Sequence, residues 1–498
     1  MRYHSLLREA PLRFFAPLVL LALAPAPSAR AVEPTGDVPA RLVGGALVDG
    51  QAYADVAELT DTIGARLTGS PGASAAVEWA VARLRAAGLH AWTEPVRVPH
   101  WVRGEERAVA IAAPPARPQP LAVAALGSSA GTPPGGVEAE VVEVRSLEEA
   151  AALGDRARGR IVLFQHGMPG QGSYGELVRL RARGPATVAR LGAAGALVRS
   201  LASASLRDPH TGQTAFPPDV APIPAASISV EDAELLHRLL ARGPVRVRLV
   251  LGCGPGTPPE VESANVVAEL PGRARQGEIV LIGAHLDSWD LATGAIDDGA
   301  GVAMVLEAMR LLAREPAPPR RTVRAVLFMN EEHGLSGGIA YAERHAAELG
   351  HVVAAVEADS GAGRPLGWKT EAGPGAVAIL TRLSAPLATL GANGVRAGDA
   401  GSDLDPLRYA GVPTAGLWQD GSRYFEWHHS AADTLDKIDP GELARAAAAL
   451  AVGAWQLAEA DATMPRPPPP AEPPWWKPVA SGGAAPASDA ARGDRPGR

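Results

Sequence analysis

Between residues 260 and 460 the chain alternates two hydrophobic periods, and this constrains its fold more than any other feature. Four short runs, 279–284, 323–329, 352–358 and 412–418, are apolar at most positions. The stretches 301–314, 338–349 and 440–460 instead repeat their apolar residues at helical spacing. A strand that is apolar on both faces must be covered on both faces, and intervening helices supply that cover. The pattern predicts an α/β fold with a mostly parallel central sheet flanked by helices.

In open α/β sheets, ligands bind beyond the carboxyl ends of the strands. Here those ends carry polar residues. His285-Leu286-Asp287 follows the first run, Asn330-Glu331-Glu332 the second and Asp359 the third, and a loop after the fourth leads to His428-His429. Asp297-Asp298-Gly299-Ala300-Gly301 lies at the entry to the first helix. Each member alone has an ordinary explanation, such as a solvated loop histidine, a charged Glu-Glu face or an Asp-Asp-Gly helix cap. Their convergence on one edge of a sheet is what gives the set its weight.

Composition narrows the chemistry. Among 498 residues there is one cysteine, Cys253, which excludes an internal disulfide and a cysteine-rich metal site. Lys+Arg 47 against Asp+Glu 54 leaves a net charge of -7, which argues against a nucleic-acid binder led by bulk charge. Two histidines with three or four carboxylates suit a divalent ion, zinc first. Two ions about 3.5–4 Å apart, sharing one carboxylate, hold a water or hydroxide between them and polarise a carbonyl. A carboxylate that is not a ligand then takes the water's proton and passes it to the leaving amine. Extended neighbours such as Glu331 and Glu332 point to opposite sides, so one binds metal while the other faces the water.

The segments His285-Leu286-Asp287-Ser288-Trp289-Asp290, Ala295-Ile296-Asp297-Asp298-Gly299, Glu331-Glu332, Glu357-Ala358-Asp359 and His428-His429-Ser430 resemble the co-catalytic di-zinc exopeptidases, closest to their carboxypeptidase Q branch. Ile63-Gly64-Ala65-Arg66-Leu67-Thr68-Gly69-Ser70 resembles that branch's N-terminal signature, and residues 137–251 resemble its protease-associated insertion. The likeness spans roughly residues 40–460. It implies two zinc ions per chain, with Asp297 bridging them. His285 and Asp359 then complete one site and Glu332 and His429 the other, with Glu331 as general base. It also implies that Asp287 orients the His285 imidazole, and that His428 occupies the place of a group stabilising the tetrahedral oxyanion. In the pattern of that family, spacing to Gly301 prefers Asp297 to Asp298, and direct precedence to Ser430 prefers His429 to His428. The activity implied is that of a secreted or periplasmic zinc exopeptidase acting on dipeptides or short peptides through a metal-bridging hydroxide. An aminopeptidase is the alternative, and a non-catalytic binding protein with a peptidase fold is the third reading. The implied partners are peptide substrates, with no nucleic acid and no membrane insertion of the mature chain, and a homodimer is left open.

The ends of the chain read differently from the middle. Arg2, Arg8 and Arg13, an apolar run at 14–24 and Ala29-Arg30-Ala31 form a signal-peptide pattern at 1–31. The remaining organisation is a catalytic domain at 32–105 and 252–462, a smaller β-rich protease-associated α/β unit inserted at 106–251, and a Pro-rich disordered tail at 463–498. Ser70-Pro71-Gly72 opens a helix that Gly88 closes. Gly184-Pro185 should break or kink the helix at 177–191. No catalytic cluster stands out in the inserted unit. Gly334-Leu335-Ser336-Gly337-Gly338 formally matches a serine nucleophile elbow. That motif needs its serine on a turn directly after a strand, whereas here the strand ends near Met329 and two glutamates intervene. His333, His345 and His351 read as surface or packing residues, Cys253 as a small apolar one, and Asp403 as a substrate contact or a loop cap.

Overall fold

The four apolar runs form the middle of an eight-stranded sheet. Arg321–Phe328, Arg275–His285, Val352–Glu357 and Thr414–Gln419 lie side by side and parallel. Arg321–Phe328 is buried along its whole length, as a strand covered on both faces must be. The computed structural model describes residues 38–471 and residue 474, positions 116 and 205 excepted. The signal peptide expected at 1–31 and the tail from 475 onward lie outside the described residues. At the start of the expected tail, Met464 is buried and the Arg466 guanidinium donates to the carbonyls of Leu349 at 2.9 Å and Val352 at 3.1 Å.

The sheet is mixed, which corrects the expectation of a mostly parallel one. Glu260–Leu270 pairs antiparallel with Arg321–Phe328, and His90–Pro99 pairs antiparallel with Glu260–Leu270. On the other flank Pro365–Thr370 runs antiparallel to Thr414–Gln419 and carries Gly394–Ala397 at the edge. These outer strands are harder to read because they lack continuous apolar runs. His90–Pro99 alternates buried and exposed residues, and Pro365–Thr370 is six residues long and contains a glycine.

The helices arise where local sequence favours them. Pro71–Ala86 is capped by the Ser70 hydroxyl, which accepts from the Ala73 amide at 3.1 Å, and Gly88 follows it at φ +83°. Pro440–Glu459 is capped by Asp439, which accepts from the Glu442 amide at 2.8 Å. Its alanine-rich face packs against Ala300–Ala313. Among the described residues no helix is long and apolar enough to cross a membrane.

Strands from residues 106–251 build a second eight-stranded sheet. Along Ile161–Phe164 successive side chains enter opposite apolar clusters. Ile161 and Leu163 pack with Leu236 of helix Val230–Leu240, whereas Val162 and Phe164 pack with Leu180 and Val188 of helix Tyr174–Ala189. This last helix continues through Pro185, so the pair does not break it. Gly184 faces the sheet. A Cβ there would lie 2.7 Å from the Phe164 ring, so the Gly-Pro pair lets the helix sit close on its sheet.

Candidate metal centre

Strand register is what brings the predicted residues together. His285 closes its strand opposite Phe328, and Gly283 of the same strand lies opposite Glu357, so the three carboxyl ends finish level. The His285 Nδ1 lies 3.1 Å from the Asp287 carbonyl oxygen. A ring N–H donated there leaves the Nε2 lone pair facing Asp297 Oδ1 at 3.2 Å and Asp359 Oδ1 at 4.0 Å. Three electron-rich atoms that close repel one another unless a proton or a cation sits among them.

Asp297 and Asp298 divide cleanly. Asp298 turns both oxygens to the backbone, accepting from the Gly301 amide at 3.0 Å and the His285 amide at 3.2 Å. Asp297 does neither. Its Oδ1 faces His285, while its Oδ2 lies 3.4 Å from His429 Nε2 and 3.5 Å from His428 Nε2, buried and without a hydrogen-bond partner. The loop that presents it is gripped by Arg66, which donates to the carbonyls of Leu286 at 2.8 Å, Thr293 at 2.6 Å and Gly294 at 3.0 Å. Asp433 holds the Ile296 amide at 2.7 Å.

Glu331 and Glu332 follow a left-handed turn at Asn330, φ +74°. Asp287 fixes that turn by accepting from the amides of Asn330 at 2.7 Å and Glu331 at 3.1 Å. Asp287 thus supports the Glu331 turn as well as the imidazole. Its carboxylate is committed to the Glu331 backbone and lies 3.9 Å from the imidazole, which its carbonyl orients instead. Glu332 Oε2 is 2.8 Å from His429 Nε2, and its Oε1 is buried without a partner.

His428 and His429 follow the short helix Tyr424–Trp427, with rings stacked at 3.6 Å. His429 Nδ1 lies 3.3 Å from the Thr211 carbonyl, so its Nε2 lone pair also points inward. Ligand-type atoms of His285, Asp297 and Asp359, and separately of Asp297, His428 and His429, all lie within 4.8 Å of one another. His428 therefore sits beside the metal-capable atoms and lines the cavity. The reason is the helix end, which aims both stacked rings at Asp297.

Thr211, Tyr174 and Arg181 come from the second sheet's segment, where sequence reading found no catalytic cluster. Arg181 donates to the Thr211 carbonyl at 3.0 Å and the Tyr174 hydroxyl at 3.2 Å, and both Tyr174 and Arg181 line a cavity of about 500 Å³ above the acids. An arginine on an otherwise apolar helix face was the one signal available. Asp403 neither lines this cavity nor caps a turn. It is fully buried with both oxygens unpartnered, and the Leu404 amide donates to Glu357 at 3.2 Å. Of the histidines set aside, His333 packs between Trp101 and Trp289 with its Nε2 2.7 Å from the Ser128 hydroxyl, and His345 pairs with Glu94 at 3.0 Å. Ser336 starts a helix and accepts from the Asn330 amide side chain at 2.8 Å, away from any nucleophile elbow.

The electrostatics agree with the geometry. Burial, reinforced by neighbouring acids, raises the carboxyls of Asp298, Glu332, Glu357 and Asp403 well above their usual range and that of Asp359 to about 6. Burial lowers His428 to about 3 and keeps His429 neutral, with Arg181 reinforcing both shifts. Burial opposes charge on His285, but its contact with Asp297 and the charges of Asp298 and Asp359 raise it well above the usual histidine value, so positive charge is favoured where these acids meet. The orphaned oxygens Asp297 Oδ2, Glu332 Oε1 and Asp359 Oδ1, set beside imidazole nitrogens and no thiolate, fit zinc.

Known proteins share this arrangement of chain. A profile of peptidase family M28 matches residues 265–453. Carboxypeptidase Q from Mus musculus is 38% identical over 417 residues, which cover 84% of this chain and 87% of that protein. The crystal structure of a peptidase M28 precursor from Shewanella amazonensis superimposes with a TM-score of 0.82 at 39% identity, covering 87% of this chain and 98% of that one. A zinc aminopeptidase from Bacillus subtilis has the same fold, with a TM-score of 0.61, 19% identity and coverage of 85% and 98%.

Proposed function

The chain belongs to peptidase family M28, and from that premise we propose that it is a zinc-dependent exopeptidase hydrolysing dipeptides or short peptides outside the cytoplasm. The observation that carries this reading is Asp297, whose two oxygens face His285 on one side and His429 on the other. One zinc ion would be held by His285, Asp297 and Asp359, and a second by Asp297, Glu332 and His429 with His428 adjacent. Bound zinc supplies Lewis acidity, polarising a carbonyl and lowering the pKa of water.

The chain's own residues do the rest. Glu331 lines the cavity without belonging to either ligand group, so it is free to take a proton from the attacking water and deliver it to the leaving amine. Its carboxyl is pushed up to about 7, chiefly by burial, with His285 opposing the shift and Asp359, Asp297 and Asp287 adding to it. Such a group exchanges protons readily near neutrality. Arg66 and Asp287 hold the two loops that carry Asp297 and Glu331. Residues 106–251 act as a protease-associated unit that walls the cavity through Tyr174 and Arg181. The leader at 1–31 supports export.

Metal analysis with a dipeptide assay tests the reading. The expected result is about two zinc ions per chain, hydrolysis of Ala-Ala that a chelator abolishes, and recovery on adding zinc. Metal-free protein that retains full activity would overturn it. Comparing Ala-Ala with Ala-4-nitroanilide and an N-blocked dipeptide assigns dipeptidase against aminopeptidase action.

A further inference from the structure

The cavity wall beyond Asp359 holds an ammonium group that the proposed chemistry does not use. Lys369 lies on strand Pro365–Thr370, where successive side chains face opposite sides. Its neighbour Trp368 points away from the site and packs so close to Gly453 that a Cβ there would come within 2.4 Å of the indole. Lys369 therefore points the other way, into the cavity, which it lines together with Ser360, Arg396 and Trp418. Its Nζ has one hydrogen-bond partner among the described residues, the Ser360 hydroxyl at 3.4 Å, and no ion pair.

Two further observations give this cation a purpose. Lys369 is the direct cross-strand partner of Arg396, so two positive side chains share one face of the sheet at adjacent positions. Arg396 is held in the wall by stacking on the Trp418 ring at 4.3 Å. The neighbouring acid Asp399 turns one oxygen to the Gly401 amide at 2.7 Å, and Asp359 faces His285 in the metal-capable group. Once cations engage Asp359, Lys369 faces a cavity open to the carboxylate of a ligand.

We propose that Lys369 is a specificity-determining residue that binds a carboxylate of the peptide substrate within the cavity beside Asp359. The assignment rests on the peptidase reading and sharpens it, because a cation in the cavity wall beside the reacting centre favours short acidic or free-ended peptides. A carboxylate can come from the substrate's C-terminus or from an acidic side chain, and the probes separate these sources.

The experiment compares the parent enzyme, Lys369→Gln and Lys369→Arg on Ala-Ala, Ala-Ala amide and Glu-Ala amide. A charge-assisted contact corresponds to about a tenfold to hundredfold effect. The ratio of kcat/KM for a carboxylate-bearing probe to that for Ala-Ala amide should fall by this factor in Lys369→Gln, through KM, and Lys369→Arg should restore most of it. A fall for Ala-Ala identifies the terminal carboxylate, and a fall confined to Glu-Ala amide identifies the side chain. Ratios equal to the parent's for both probes would overturn the role of Lys369. Parent enzyme that cleaves none of the probes with zinc bound would instead overturn the peptidase reading, so the two failures are distinguishable.

Discussion

Asp297 and Asp298 are identical side chains on adjacent residues, and the backbone decides which one is available. The amides of Gly301 and His285 engage Asp298, while Asp297 keeps an unpartnered oxygen between two imidazoles. Spacing in the sequence picks out Asp297, but the physical reason, the competing amides, exists only in the folded chain. The contacts of Asp287 and His428 have the same kind of origin. Each depends on a local backbone turn that residue type does not encode. Glu331 and Asp297 give a paired test. Glu331→Gln should lower kcat by about two to four powers of ten with zinc content retained, because it removes proton transfer alone. Asp297→Ala should lose zinc itself, since it strips a donor from both groups. Zinc content and kcat measured on both variants check this. Equal zinc loss in the two would place Glu331 among the metal-holding residues.

At the scale of elements, legibility follows burial. The four inner strands announce themselves because both faces are covered, and each of their predicted positions overlaps the strand found. The outer strands alternate or are interrupted by glycine and proline, and helix Tyr174–Ala189 hides behind a Gly-Pro pair whose packing against Phe164 sequence cannot reveal. The loop from Leu286 to Gly294 shows how one side chain can organise an irregular segment. Arg66 is fully buried and fastens three of the loop's carbonyls, although it lies about 220 positions earlier in the chain, as its contact with Leu286 shows. Lysine has the charge but not the planar fork that reaches several carbonyls at once. Arg66→Lys should therefore weaken zinc binding by about tenfold to a hundredfold, the usual cost of losing support behind a metal ligand. Competition with a chromogenic chelator measures it, and an unchanged affinity would mean that the loop holds Asp297 without Arg66.

At the scale of the whole molecule, the second sheet belongs to the site. The Thr211 amide donates to the His429 carbonyl at 2.8 Å, and Arg103 bridges Asp290 and Glu106, each at 2.7 Å. Such contacts join residues as many as 218 positions apart, as in the Thr211–His429 pair, and no local pattern forecasts them. The same segment sets an acid limit on stability. Burial lowers His166 and His210 to about 4, with Arg199 reinforcing the first and Arg181 the second. In the unfolded chain each titrates near 6.5, the ordinary value of a free histidine. Between those values the unfolded state binds protons that the folded state refuses, so stability rises with pH and is lost as pH falls from 6.5 toward 4. Each histidine contributes up to ~1.4 kcal/mol per pH unit across that window. Replacing His166 by leucine removes one such proton. With zinc saturating, the melting temperature of His166→Leu minus that of the parent should climb steadily as pH drops from 6.5 to 4. A difference that stays flat across this range would mean that His166 is already protonated in the folded protein.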